Sequence, residues 1–243
     1  MKGIYLYGIV GFPPALMDEI HGLGETPVFL VPHGGLAALV GPSPLAPWPP
    51  DETHLTLHEA VVEKVMGSRP ILPVRFNTLF RSGEAVIALL DKQSQSFRSA
   101  LDRVAGKVEL GLRVLWEPPT RSVSEKYEHA PSEGGPGTEY LYRRLRDQRR
   151  QASLRAAGEQ VAQKVQARFR SLAVENWMRR LPTDRLLLSG AYLVARDRVD
   201  AFRESVAKAR EEFSSLSFLL TGPWPPYHFV NGAHDETGDA LGA

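Results

Sequence analysis

The stretch TPVFLVPHGGLAALVG, residues 26–41, contains two apolar runs separated by the turn sequence Pro-His-Gly-Gly at 32–35. Two such runs on either side of a glycine-containing turn predict an antiparallel β-hairpin. The aromatic and β-branched run GIYLYGIV at 3–10 predicts a buried strand ahead of the hairpin. The chain is therefore expected to begin with an antiparallel sheet.

Helical patterns follow the hairpin. One helix is predicted from Asp51 to the residue before Pro70, with an apolar stripe formed by Leu57, Ala60, Val61 and Val65. A second helix is predicted from Ser82 to about Ala105, because apolar residues recur on one face at helical spacing. With strands at ILPVRF (71–76) and KVELGLRVLW (107–116), this order favours an antiparallel, ferredoxin-like α+β sheet.

The second half of the chain has a different pattern. Residues 117–137 are polar and rich in Pro, Gly, Ser and Glu, which predicts a linker. A helical pattern then covers 138–180, and an unbroken helix of that length would span about 60 Å, so we expect a break near Gly158 or a protruding helix. LLLSGAYLVA (186–195), a helix capped by Asp197 and SLSFLL (215–220) predict a β-α-β unit.

We therefore predict an α+β fold with two domains. The predicted parts are an N-terminal ferredoxin-like domain (1–117), a linker or long loop (118–137), a C-terminal domain of long helices plus the β-α-β unit (138–230), and a disordered tail (231–243).

Composition limits the function. The chain is 43% hydrophobic, has a formal net charge of +1 and contains no cysteine. The near-neutral charge argues against a whole-protein field that gathers nucleic acid, and the missing cysteines exclude disulfides and thiolate chemistry. No run approaches the roughly 18–20 apolar residues of a membrane span. We expect a cytoplasmic protein without nucleic-acid or membrane partners.

The sequence TGPWPPYHFV (221–230) combines three prolines with four aromatic or imidazole rings. Proline cannot donate to a sheet ladder, so the preceding strand is expected to end near Thr221. A stiff aromatic segment fits two roles. It is either a latch that packs Trp224 and Phe229 inward, or a contact surface for a partner.

No catalytic, metal or cofactor site is predicted. His54 and His58 have the i,i+4 spacing of two metal ligands, but no third ligand follows, so capping or surface hydrogen bonding is favoured. His33-Gly34-Gly35 lacks the nucleophile elbow that an oxyanion loop would serve. GGPGTEY (134–140) lacks the Gly-Lys-Ser/Thr ending of a P-loop, so a helix cap is favoured.

Two arginine-containing segments carry alternatives. RRLRDQRR (143–150) places Arg143 and Arg144 on a predicted helix, either as a phosphate-binding face or, as the near-zero charge favours, as a solvated face. In PVRFNTLF (73–80), Arg75 lies between apolar residues next to Phe76. It is expected either to pair with a buried carboxylate or to face a partner.

Five blocks occur in an order that resembles the gas vesicle protein F/L family (GvpF/GvpL). They are KGIYLYGIV (2–10), HEAVVEKV (58–65), ILPVRFNTLF (71–80), SGAYLVAR (189–196) and LTGPWPPYHFV (220–230). The blocks span nearly the whole chain. Asn77 stands where the family pattern has a glycine, which affects a tight turn, and His228 stands where serine or asparagine is common.

The resemblance implies a non-enzymatic accessory or minor structural protein of gas vesicles. It would bind the hydrophobic shell protein, alongside other gas vesicle accessory proteins, and limit shell aggregation during nucleation. The residues expected to contact partners are Arg75, Phe76, Arg143, Arg144, Trp224, Pro225, Pro226 and Tyr227. The alternative is a small-molecule-binding or enzymatic ferredoxin-like protein. The F or L subtype and the oligomeric state are left open.

Overall fold

The computed structural model describes residues 2–12, 19–116, 136–179 and 186–230, which form an α+β fold with two sheets. The strands are β1 (Lys2–Gly11), β2 (Phe29–His33), β3 (Leu36–Pro44), β4 (Ile71–Pro73), β5 (Leu79–Phe80), β6 (Lys107–Trp116), β7 (Glu175–Arg179), β8 (Leu186–Ala195) and β9 (Leu216–Trp224). The helices are α1 (Glu52–Ser68), α2 (Gly83–Lys92), α3 (Ser94–Val104), α4 (Pro136–Arg170) and α5 (Val199–Glu212).

The first sheet has the order β2-β3-β1-β4, and β5 also pairs with β1. All of these pairs are antiparallel, which confirms the predicted sheet. The hairpin turn is formed by Gly34 and Gly35, whose φ angles of 55° and 77° lie in the left-handed region that glycine adopts most easily. Because β1 is central, its residues from Tyr5 to Val10 are buried, as its apolar run predicted.

The helices of the first sheet begin where the capping residues predicted. Asp51 accepts a hydrogen bond from the His54 backbone N–H (3.0 Å), and Ser82 accepts one from Ala85 (3.3 Å). The predicted helix 82–105 is interrupted at Gln93. The predicted stripe of α1 was partly wrong, because Leu57 and Ala60 are exposed and the buried face is formed by His58, Val61, Val62, Val65 and Met66.

The second sheet has the order β7-β8-β6-β9. The sequence placed β6 with the N-terminal sheet, but β6 pairs with β8 and β9 instead. The prediction that β9 ends near Thr221 was wrong, since β9 continues through Pro223 to Trp224. Pro223 has no backbone N–H to donate, but it is tolerated because β9 is an edge strand, where one side of the strand has no neighbour to bond. Strand β7 was missed because its residues lie inside the predicted helical pattern.

Helix α4 is continuous over 35 residues, or about 52 Å, without a break at Gly158. A Cβ atom at Gly158 would lie 3.0 Å from Leu187 and 3.3 Å from Trp116, so this glycine permits close packing. The C-terminal half of α4 buries Val165 and Phe169. The ring of Phe169 lies 5.3 Å from that of Phe202 and 6.3 Å from that of Tyr192.

The contacts divide the chain into two compact units. The first comprises residues 1–110, 193–196 and 222–243, and the second comprises 111–192 and 197–221. The prediction assigned 222–230 to the C-terminal domain, whereas these residues pack with the N-terminal unit. Most of the predicted linker and the whole predicted tail lie outside the described residues, and the predicted domain boundaries stay predictions.

Candidate partner-binding surfaces

The RFN turn, residues Arg75 to Asn77, interrupts the edge of the first sheet. Strand β4 pairs with β1 at Gly8–Val10, and β5 pairs with β1 at Ile4–Tyr5, so both follow the same side of β1. The chain between them leaves the ladder. Thr78 closes the turn by donating from its hydroxyl to the Arg75 carbonyl (2.6 Å). The turn therefore projects two side chains, Arg75 and Phe76, from a sheet edge.

Asn77 fixes the shape of this turn. Its φ of 66° lies in the left-handed region, which asparagine tolerates better than most residues. Its side chain accepts from the Trp48 backbone N–H (2.8 Å) and donates to the Trp48 carbonyl (2.9 Å). Its backbone N–H donates to the Tyr5 hydroxyl (2.9 Å). Asn77 thus holds the turn and ties it to the PWPP segment at 47–50.

Arg75 and Phe76 differ in burial. Phe76 is half-buried, with its ring 5.8 Å from that of His58 and 6.3 Å from that of Tyr5. Arg75 is exposed, and its side chain forms no ion pair with the part of the chain that the structure describes. The expectation that Arg75 pairs with a buried carboxylate was therefore wrong. An exposed guanidinium beside an aromatic ring remains available to a partner.

The segment 222–230 is anchored by a buried carboxylate. Glu109 on β6 accepts hydrogen bonds from the His228 backbone N–H (2.9 Å) and pairs with His228 Nδ1 (2.7 Å). Arg103 donates to the carbonyl of Phe229. Phe229 and Val230 are each 1% exposed, so the last described residues pack into the core of the first unit. The hydrogen bond with Glu109 raises the pKa of His228.

Trp224 does not share this burial. Its side chain is 39% exposed, so the inward packing of Trp224 that the latch model predicted was wrong, while that of Phe229 was confirmed. Pro225 and Pro226 are buried and Tyr227 is half-buried. Burial, followed by the charges of Glu59, Glu63 and Glu109, raises the pKa of the Tyr227 phenol. The segment is held at its end and presents Trp224.

Arg143 and Arg144 lie on the exposed first half of α4 in the second unit. Arg143 pairs with Glu139 one turn earlier (3.2 Å), and both arginines are exposed. The same part of the helix exposes four large apolar side chains, Tyr140, Leu141, Tyr142 and Leu145. The sequence indicated the arginines but not the exposed apolar residues beside them, because exposure depends on how the helix packs.

Three exposed apolar residues of the second sheet were missed from the sequence. Leu115 on β6, Trp177 on β7 and Leu219 on β9 are 43%, 43% and 50% exposed. Leu115 and Leu219 lie in apolar runs that predict buried strands, and Trp177 lies inside the predicted helical pattern 138–180, so the sequence did not mark them as exposed. Glu109 was also missed, because a lone glutamate within the apolar run KVELGL gives no indication of its partner.

The two candidate metal-ligand histidines have separate partners. His54 pairs with Asp51 (2.7 Å), whereas the buried His58 bonds the Tyr5 hydroxyl through Nδ1 (3.0 Å). Burial lowers the pKa of His58 to about 4. The described residues contain no cluster of three or more potential metal ligands, and no described helix is long and apolar enough to cross a membrane.

The protein has an α+β fold with two sheets, and solved structures of gas vesicle proteins have the same fold. The crystal structure of GvpF from Anabaena sp. superimposes with a TM-score of 0.80 at 20% identity, covering 95% of this chain and 99% of that one. GvpF from Microcystis aeruginosa gives a TM-score of 0.72 at 20% identity, covering 94% and 99%.

Sequence comparison agrees with the fold. The family model described as gas vesicle synthesis protein GvpL/GvpF matches residues 3–231. Gas vesicle protein L of Streptomyces sp. is 30% identical over 96% of this chain and 94% of its own length. Gas vesicle protein F1 of Halobacterium salinarum is 26% identical over 98% of both chains. The chain belongs to the GvpL/GvpF family, and the expected resemblance is confirmed.

Proposed function

We propose that this chain is a non-enzymatic assembly factor that binds the hydrophobic gas vesicle shell protein and limits its aggregation during nucleation. Family membership supports a role associated with gas vesicles. The finer role rests on the chain's own exposed apolar and aromatic side chains. A shell subunit with an apolar surface aggregates unless that surface is covered, and a covering protein needs apolar surface of its own.

The observation that carries the proposal is the exposure of Trp224 on an anchored backbone. The hydrogen bonds to Glu109 and the burial of Phe229 fix the end of the segment. Two buried prolines restrict the backbone between Trp224 and His228. A tryptophan held in this way loses little conformational entropy on binding, and large rigid aromatic residues are frequent binding hot spots.

Two further surfaces support binding of a protein partner. Arg75 beside Phe76 combines an exposed charge with an aromatic ring at a sheet edge. On α4, Arg143 and Arg144 lie among exposed Tyr140, Leu141, Tyr142 and Leu145. Arginine and tyrosine are both enriched at protein interfaces. We propose these as secondary contacts to the shell protein or to other gas vesicle accessory proteins in the cytoplasm.

The test is co-purification of the shell protein with wild-type protein and with Trp224→Ala. Trp177→Ala is the matched control, because Trp177 is exposed to a similar extent but lies on β7, at the other end of the strand order β7-β8-β6-β9 from β9 and Trp224. We expect Trp224→Ala to reduce the recovered shell protein by at least about tenfold, as for a hot-spot residue. Melting temperatures of the two variants show whether each remains folded.

The opposite pattern contradicts the proposed contact. If Trp177→Ala loses the shell protein while Trp224→Ala retains it, the contact lies at β7 and not at Trp224. If Arg75→Ala or the double change Arg143→Ala, Arg144→Ala alone abolishes recovery, the RFN turn or α4 is the main surface. If no variant and no wild-type protein recovers shell protein, the proposed function is wrong.

A further inference from the structure

A cavity of about 280 Å³ lies within the first unit, away from the RFN turn. Its walls come from the C-terminal end of α1, the turn before β6, the end of β8 and Pro226. The lining residues are Met66, Gly67, Ser68, Arg69, Pro70, Ile71, Val104, Gly106, Lys107, Arg196 and Pro226. This volume lies just below the roughly 300–1,000 Å³ of typical small-molecule sites, so it suits only a small ligand.

The charges around the cavity have one sign. Arg69, Lys107 and Arg196 line it, and none of the described lining residues is acidic. Three cations of separate elements converge here although the whole chain has a net charge of only +1. Lys107 and Arg196 carry like charges that repel each other, so their convergence around one cavity favours a bound anion.

Arg196 and Lys107 are each held by hydrogen bonds to backbone carbonyls and keep further N–H donors. Arg196 donates from Nη2 to the carbonyl of Met66, and its backbone N–H donates to the Gly106 carbonyl (3.0 Å). Lys107 Nζ donates to the carbonyl of Ala105 (3.1 Å). A guanidinium has five N–H donors and an ammonium has three, so each can donate further hydrogen bonds into the cavity.

Most of the other lining side chains are apolar, and the hydroxyl of Ser68 is already engaged with the Val65 carbonyl (3.1 Å). Ile71 and Val104 are buried side chains of the core, and Met66 and Pro226 complete the wall. A free inorganic anion makes no use of such a surface. An anion that carries a hydrocarbon group fills it, with its charged end toward the arginines and lysine and its apolar end toward the core.

We propose that this cavity binds a small carboxylate with an apolar substituent, either a free carboxylic acid or the terminal carboxylate of a peptide. The cavity adjoins the proposed shell-protein contact, because its lining residue Pro226 is two residues from Trp224. Its ligand regulates or reports on the state of the first unit, because Pro226 belongs to the segment that Glu109 anchors.

The experiment follows methionine methyl groups by NMR in the full chain during titration with N-acetyl-leucine. Met66 lines the cavity and reports binding, while Met178 does not line it and serves as the internal control. We expect the Met66 signal to shift with N-acetyl-leucine and not with N-acetyl-leucinamide, which has the same apolar group but no charge. A tripeptide ending in leucine, titrated beside the free acid, distinguishes the two sources of carboxylate.

Substitutions test the cations. Lys107→Met and, separately, Arg196→Met should each weaken binding by about tenfold or more, since a charge-assisted hydrogen bond is lost. Arg198→Met is the matched control, because Arg198 is exposed in the same short turn as Arg196 and does not line the cavity. Equal shifts with the acid and the amide, binding of inorganic phosphate alone, or no effect of either lining substitution would overturn the proposal.

Discussion

At the scale of a single residue, Asn77 shows how one side chain and one backbone conformation together fix a turn. Its left-handed φ of 66° explains why a glycine is expected there, and its two side-chain bonds to Trp48 explain why asparagine serves as well. A residue with neither property is expected to destabilise the turn. The turn that presents Arg75 and Phe76 therefore depends on backbone conformation as much as on the exposed side chains.

We predict that Asn77→Ala is less stable than Asn77→Gly by about 1 kcal/mol, because alanine pays for the left-handed conformation and glycine does not. Both variants lose the same bonds to Trp48, so their difference isolates the backbone cost. Urea unfolding of the two variants measures it. Equal free energies of unfolding would show that the turn relaxes out of the left-handed region.

His228 makes a pH-dependent contribution. The hydrogen bond to Glu109 raises the pKa of His228 above the ordinary histidine value of 6.5, so the protonated imidazole is favoured in the folded protein. The stabilisation is therefore fully present below the unfolded pKa and is lost as pH rises through the raised folded pKa.

We predict that the stability difference between wild type and His228→Gln is largest at acid pH and falls as pH increases. Urea unfolding of both proteins at intervals between about pH 5.5 and 8.5 measures this difference. A difference that stays constant across the range would show that the neutral imidazole contributes as much as the charged one.

At the scale of an element, α4 divides into an exposed half and a buried half. Side chains from Glu139 to Arg149 are exposed, whereas Val165 and Phe169 are buried. A helix of this length gains its stability from the packed part, because the exposed part has only local hydrogen bonds and side-chain pairs such as Arg143–Glu139. The apolar residues in the exposed half of α4 are therefore candidates for partner binding, since they contribute little to folding.

We predict that Phe169→Ala costs about 3–5 kcal/mol of stability and that Leu145→Ala changes it by less than about 0.5 kcal/mol. Phe169 is 0% exposed and contacts Tyr192 and Phe202, while Leu145 is 48% exposed on the same helix. Thermal or urea unfolding distinguishes them. A large loss of stability in Leu145→Ala would mean that the exposed half of α4 is packed against other residues in solution.

At the scale of the whole molecule, residues 222–230 complete the first unit, which begins with the N-terminal strands. Residues 222–230 belong with the first 110 residues, through Glu109, Arg103 and the burial of Phe229. Removing this segment leaves the Glu109 carboxylate buried without His228 and exposes the surface that Phe229 covers. Both effects destabilise the folded state.

We predict that a chain ending at Leu220 melts well below the wild type or does not fold, whereas Trp224→Ala has a smaller effect. The loss of Phe229 alone is expected to cost about 3–5 kcal/mol. Circular dichroism melting measures both proteins. An unchanged melting temperature of the shortened chain would mean that the contacts of Glu109 and Phe229 are dispensable for folding.

Much of the fold follows from local sequence signals. The hairpin at Gly34-Gly35, the caps Asp51 and Ser82, and the buried strand β1 are set by residues close together in the chain. The predictions failed where distant partners decide. His58 is buried because Tyr5 and Phe76 surround it, and β9 continues through Pro223 because the strand lies at a sheet edge.

The sequence by itself therefore determined the α+β class, the order of most elements and the family, since these depend on local propensity and on ordered blocks of residues. Only the tertiary structure decided which sheet β6 joins. It also decided that Arg75 and Trp224 are exposed and that Glu109 holds the segment 222–230. The physical reason is that exposure and pairing are properties of two or more segments packed together. A residue's own neighbours in the chain do not contain that information.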